Sequence, residues 1–196
     1  MKHSKYLNQI FLVLLLQPLI LIQNARSKSN LEIIYKQFNC TVNDPKGYIA
    51  KLSCKVSKNS KRSSVFAELQ FKKDLSQFSM DILIKLPRRP ADFVLMNLTR
   101  LNGCQMMANK NQVPFIQQVL TSINQFSNLL QGCPYKHGTL YYLRGYHLDL
   151  NSLPAFAFET DMKTWFQVSR AEDILFSGYA YSRIQLRRKR RGLVTI

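Results

Sequence analysis

Apolar residues recur at every second position along much of this chain, and no other feature limits its fold so strongly. Phe78, Met80, Ile82, Ile84 and Leu86 alternate with Ser79, Asp81, Leu83 and Lys85. A strand turns successive side chains to opposite faces, so such a row predicts one buried face of a sheet. Val65, Ala67, Leu69 and Phe71 form a second row. Leu140, Tyr142, Tyr146, Leu148 and Leu150 form a third, with Arg144 the intruder, and Leu52, Cys54 and Val56 a fourth. The turn residues Asn43-Asp-Pro-Lys-Gly47 predict a hairpin joining the fourth row to a strand over 31–42. Weaker strands are expected over 92–98, 163–169 and 174–186. Short strands at this spacing predict a mainly β chain, an antiparallel β-sandwich or a cup-like barrel.

One segment departs from period two. Phe115, Ile116, Val119, Leu120, Ile123, Phe126 and Leu130 recur at helical spacing, with Gln117, Gln118, Asn124 and Asn128 opposite. This predicts an amphipathic helix. Pro114 suits its first turn, and Gly132 with Pro134 its stop.

The N-terminus sets the expected compartment. Lys2, His3 and Lys5 precede a 13-residue apolar run, Ile10 to Ile22, broken by Gln17 and Pro18. A membrane span needs about 20 residues, so the run is short for one. Ala25-Arg-Ser27 places small residues where a signal peptidase reads. Residues 1–27 are therefore expected to be a removed signal peptide, with an uncleaved anchor as the competing reading. That leaves a single domain over 28–186 and a basic tail over 187–196 in a secreted, extracellular protein.

An even number of cysteines in an oxidising compartment predicts two disulfides, with three possible connectivities. Cys104 and Cys133 flank the expected helix, and Cys40 and Cys54 face each other across the first turn. The economical assignment pairs them in that way. Two glycosylation sequons remain, at Asn39 and Asn97.

Catalytic signatures are missing from the sequence. The mature chain holds His137 and His147 but no His-Glu-x-x-His, Cys-x-x-Cys or Gly-x-Ser-x-Gly. His147 and Asp149 share one side of an expected strand, opposite Leu148 and Leu150, where solvation explains them better than catalysis. The long cysteine spacings suit bridges rather than zinc. The expectation is a non-enzyme with no metal and no cofactor.

Charge needs a separate account. The chain carries 28 Lys+Arg against 11 Asp+Glu, formally +17. Losing Lys2, Lys5 and Arg26 leaves +14, and setting aside the five basic residues 187–191 leaves +9. So basic a body attracts anionic membranes, sulfated sugars or acidic partners over long range. Nucleic acid is not expected as a partner of a secreted chain, and neither is an integral membrane location.

Large aromatic residues accompany that charge: Phe66, Phe71, Phe78, Phe115, Tyr142, Tyr146, Phe156, Phe158 and Phe166. They fit a dense core. They equally fit two splayed sheets whose walls enclose an apolar cavity. On the second reading the candidate pocket residues are Phe78, Ile82, Ile84, Phe115, Val119, Tyr142, Tyr146, Phe156 and Phe166.

An ordered set of motifs carries a resemblance. It runs Phe93-Val-Leu-Met-Asn-Leu-Thr99, Cys104, the amphipathic helix, Cys133-Pro-Tyr-Lys-His-Gly138, Tyr141-Tyr-Leu-Arg-Gly-Tyr146 and Leu153-Pro-Ala-Phe156. From about residue 86 to 166 the chain resembles a large insect family of secreted proteins, domain of unknown function 1091, distantly similar to the ML lipid-recognition proteins. Asn102 departs from the acidic residue expected two positions before the cysteine. The resemblance implies an ML-like β-sandwich that opens to hold a lipid or pheromone-like molecule, and some relatives are linked to chemosensation. The expected function is thus a secreted, non-enzymatic binder of a small hydrophobic ligand, with a receptor or anionic surface as a further partner. The alternative is a secreted basic ligand or host-defence protein acting on anionic surfaces.

Overall fold

The computed structural model describes residues 30–57, 63–108, 114–150 and 158–187, with side chains from 116 onward in the third segment. The expected signal peptide, and the tail beyond Arg187, lie outside the described residues. Among the described residues, eight strands form two antiparallel sheets. They are β1 (Leu31–Val42), β2 (Ile49–Ser57), β3 (Ser64–Phe71), β4 (Ser79–Leu86), β5 (Phe93–Asn102), β6 (Leu140–Tyr146), β7 (Thr160–Arg170) and β8 (Asp173–Leu186). The larger sheet has the order β1-β8-β7-β4-β5 and the smaller β2-β3-β6. Among the described residues, helices α1 (Gly103–Met107) and α2 (Pro114–Asn124) lie between β5 and β6 in the chain. The architecture is mainly β, with two disulfides and one longer helix.

The rows over β3 and β4 face inward as the alternation requires. Val65 and Phe71 are buried on β3, and Met80, Ile84 and Leu86 on β4. The first turn behaves differently from expectation. β1 pairs with β8 along its whole length, from Leu31 opposite Leu186 to Val42 opposite Phe176. Its other edge makes no ladder with β2, which pairs with β3 instead. Residues 43–47 therefore carry the chain from one sheet to the other rather than close a hairpin. The Asn43 N–H donates to the Leu175 carbonyl at 3.0 Å, and Asp44 Oδ2 accepts the Ile49 N–H at 2.6 Å. Gly47 supplies the left-handed conformation at φ 67°.

The Cys40–Cys54 bridge, with Cα atoms 5.6 Å apart, thus joins the two sheets. Cys104–Cys133, with Cα atoms 5.3 Å apart, ties α1 to the segment entering β6. The helix expected to run to Leu130 ends at Asn124. Downstream, Asn128 is engaged by β6: its amide donates to the Leu140 carbonyl at 3.0 Å and accepts the Tyr142 N–H at 2.7 Å. A side chain that caps a strand edge this way holds its own backbone out of a helix.

β6 also breaks its expected row. Ala67 lies opposite Leu143 but Val65 lies opposite Tyr146, so β6 carries one extra residue there. Gly145, at φ 69°, makes this bulge possible. Before the bulge the buried residues are Tyr141 and Leu143; after it the phase flips and Tyr146 points inward. Tyr142 accordingly faces outward, beneath the Arg144 guanidinium 4.2 Å from its ring centre. Phe66 is likewise on the outer face, under Lys55, and Phe158 is exposed.

Candidate functional site

The inner faces of the two sheets do not meet throughout. Between them lies a cavity of about 350 Å³. That is within the range of about 300–1,000 Å³ usual for small-molecule sites. The larger sheet supplies Ile82 and Ile84 from β4 and Phe166 from β7; the smaller supplies Ala67 and Leu69. Helix α2 contributes Ile116, Val119, Leu120 and Ile123, the apolar stripe read from its sequence.

One end is closed by an aromatic cluster. The Tyr135 ring packs edge-on against Phe78 at 5.7 Å, Phe71 at 6.1 Å and Tyr141 at 4.8 Å. Leu75 and Tyr135 exchange backbone hydrogen bonds of 2.9 Å, and the Tyr135 hydroxyl donates to the Leu129 carbonyl. Outside this end, Asp74 accepts from Lys136 Nζ at 2.8 Å, the His137 N–H at 2.9 Å and His137 Nδ1 at 2.8 Å. Those donors, the Lys136 ammonium first, hold the Asp74 carboxyl well below the usual carboxylate range. The Cys-Pro-Tyr motif therefore works structurally, placing Tyr135 as a plug and Cys133 as its tether.

Three tyrosines line the cavity, and burial raises the pKa of each. Tyr146 is pushed up to about 12, and Tyr35 rises further, from burial first and then from the neighbouring Tyr146. All three are neutral phenols at ordinary pH. Among the described residues, no Lys, Arg, His, Asp or Glu lines the cavity. No group of three His, Cys, Asp or Glu among them is placed to hold a metal ion.

Of the sequence-expected pocket residues, Phe78, Ile82, Ile84, Val119, Tyr146 and Phe166 line this cavity. Tyr142 does not, because the β6 bulge turns it outward. The Phe115 side chain and Phe156 lie outside the described residues. Sequence reasoning missed Tyr35 and Phe38 on β1, because the strand's register shifts between Tyr35 and Gln37 and spaces them by three. It also missed Tyr135, whose motif was visible but whose burial was not.

His147 and Asp149 do not share a strand, since β6 ends at Tyr146. The His147 ring packs on Phe126 at 5.2 Å, and its Nδ1 lies 3.4 Å from the Gly145 carbonyl. Asn39 and Asn97 are both exposed, on the outer face of the larger sheet. Cross-strand pairing sets them at opposite ends of one row, Asn39–Tyr179–Trp165–Leu83–Asn97.

The segment from β4 through α1, α2 and β6 into β7 thus builds one sheet wall, the helical cover and the aromatic plug. Residues 78–164 match the family described as Protein of unknown function (DUF1091). This DUF1091 segment is a little under half of the chain and carries Phe78, Ile82, Ile84, Val119, Tyr135 and Tyr146 of the cavity. The match supports the DUF1091 family. No curated protein matches the chain. Among the described residues, no helix is long and apolar enough to cross a membrane.

Proposed function

We propose that this chain is a secreted, non-enzymatic binder of a small hydrophobic ligand, held between its sheets as ML lipid-recognition proteins hold theirs. The observation that supports it best is the apolar cavity of about 350 Å³. Interiors normally close to crystal-like density, and an unfilled space of this size costs stability unless something occupies it. Transfer of an alkyl chain into such a space contributes about 0.8 kcal/mol per CH₂. A lipid-like or pheromone-like molecule is the ligand class, and a chemosensory role is the setting the family resemblance suggests. Glycans at Asn39 and Asn97 belong to the same reading, since both side chains are exposed.

Native mass spectrometry of the secreted protein, followed by organic extraction, tests the reading. A bound apolar molecule and an endoglycosidase-sensitive mass are the expected results. A ligand-free protein that takes up no added alkyl compound refutes it. The excess of basic residues supports a second reading, action on anionic surfaces. That reading requires heparin or anionic-vesicle binding that weakens steeply with salt.

A further inference from the structure

The cavity wall is largely apolar, yet its few polar atoms are unequally provided for. The Tyr135 hydroxyl, for one, donates to the Leu129 carbonyl. Tyr146 is only 6% exposed, and its hydroxyl has no hydrogen-bond partner among the described residues. Ser122 on α2 is near enough to influence it but does not stand at hydrogen-bonding geometry. Buried hydroxyls are nearly always paired, because an unmet one forfeits its hydrogen bonds to water. Tyr146 stands on the smaller sheet, and from the larger sheet Tyr35 packs against the Val65–Leu143–Tyr146 cluster. Of the buried side-chain polar atoms left without a partner among the described residues, the Tyr146 hydroxyl is the one on a residue that lines this largely apolar wall.

We propose that the Tyr146 hydroxyl is the polar anchor of the cavity, and that the ligand is a neutral single-headed molecule whose uncharged oxygen accepts its hydrogen bond. This deepens, and rests on, the hydrophobic-binder reading. Two features set the ligand class. At about 30 Å³ per carbon-sized group, the space holds on the order of a dozen heavy atoms. No cationic side chain among the described residues lines it, so an ionised carboxylate would enter unpaired. Alcohols, ketones, aldehydes and esters of about ten carbons fit both limits; a fatty-acid anion fits only the first.

The test is equilibrium dialysis of the full secreted chain at pH 7.4 against 1-decanol, decane and sodium decanoate, each quantified by gas chromatography. Decanol is expected to be retained about tenfold more tightly than decane or decanoate, the size of one hydrogen bond to an otherwise unmet donor. Tyr146→Phe should bring decanol down to the level of decane and leave decane unchanged, which also certifies that the variant is folded. Equal retention of decane and decanol, a preference for decanoate, or a decanol preference that survives in Tyr146→Phe overturns the anchor and leaves the hydrophobic-binder reading standing. Retention of none of the three by folded wild-type protein overturns that reading itself, and the anchor with it. Should Tyr146→Phe fail to fold, the ranking of the three compounds on the wild-type chain still decides.

Discussion

Filling the cavity from within should stabilise the protein and abolish binding together. Ala180 is the position for it: on β8, an interior strand of the larger sheet, it lies between Phe38 of β1 and Thr164 of β7 and lines the space. Ala180→Leu adds three carbons, about 90 Å³ at about 30 Å³ each, or roughly a quarter of the 350 Å³. Burying them contributes about 2.4 kcal/mol at about 0.8 kcal/mol per carbon. Fixing the leucine side chain costs about 0.5–1 kcal/mol. The net gain is about 1.5 kcal/mol, which for a domain of this size raises the melting temperature by about 3–6 °C. Circular dichroism melts measure the shift, and decanol dialysis on the same sample measures the lost capacity. A melting temperature that falls would refute the reasoning. Leucine forced into an already close-packed core costs about 1–3 kcal/mol, and that outcome would mean the two sheets meet in a dense interior.

Gly178→Ala tests a neighbouring contact, because a Cβ there would run into the Phe166 ring. Overpacking of about 1–3 kcal/mol, less about 0.4–1 kcal/mol gained from a stiffer unfolded chain, predicts a net loss of about 1–2 kcal/mol. Phe166→Leu in the same chain should recover part of it, and a Gly178→Ala melt unchanged from wild type contradicts the contact. Loop-closure entropy gives about 3–4 kcal/mol for Cys104–Cys133, separated by 29 residues, and about 3 kcal/mol for Cys40–Cys54, separated by 14. Cys133→Ser should therefore lower urea-unfolding stability and secreted yield more than Cys54→Ser; the reverse order would show that joining the sheets matters more than holding the plug. Asp74 is depressed in the folded state, so its contribution is full above the unfolded carboxylate value of about 4 and is lost as pH falls below it. Melting temperature should drop less between pH 5 and pH 2 in Asp74→Asn than in wild type, and parallel curves would remove Asp74 from the acid response.

Where local rules acted alone, the sequence was a sound guide. β4 reads directly from alternation, because both its neighbours are strands and nothing interrupts its pleat. The apolar stripe of α2 was legible for the same reason; the cysteine partners were also named, although the hairpin that suggested Cys40–Cys54 does not form and that bridge joins the two sheets. Errors came where a contact from elsewhere in the chain overrode local pattern. Asn128 spends its amide on β6 and ends the helix early. The Gly145 bulge exchanges the inner and outer faces of β6, and a single extra residue is invisible to a period-two count.

By itself, then, the sequence determined a disulfide-bonded, mainly β chain with apolar inner rows and no catalytic motif. It could not distinguish a dense core from a splayed one, because an apolar row looks the same whether the facing row touches it or stands away. Only the tertiary structure decided that. β1 pairs with β8 in one sheet and β2 with β3 in the other, so residues 43–47 cross between sheets. Cys40–Cys54 then fixes the sheets together at that side, while α2 covers the space with side chains. The distance between the sheets is a property of those long-range connections, and so is the packing of Tyr35 against the Val65–Leu143–Tyr146 cluster.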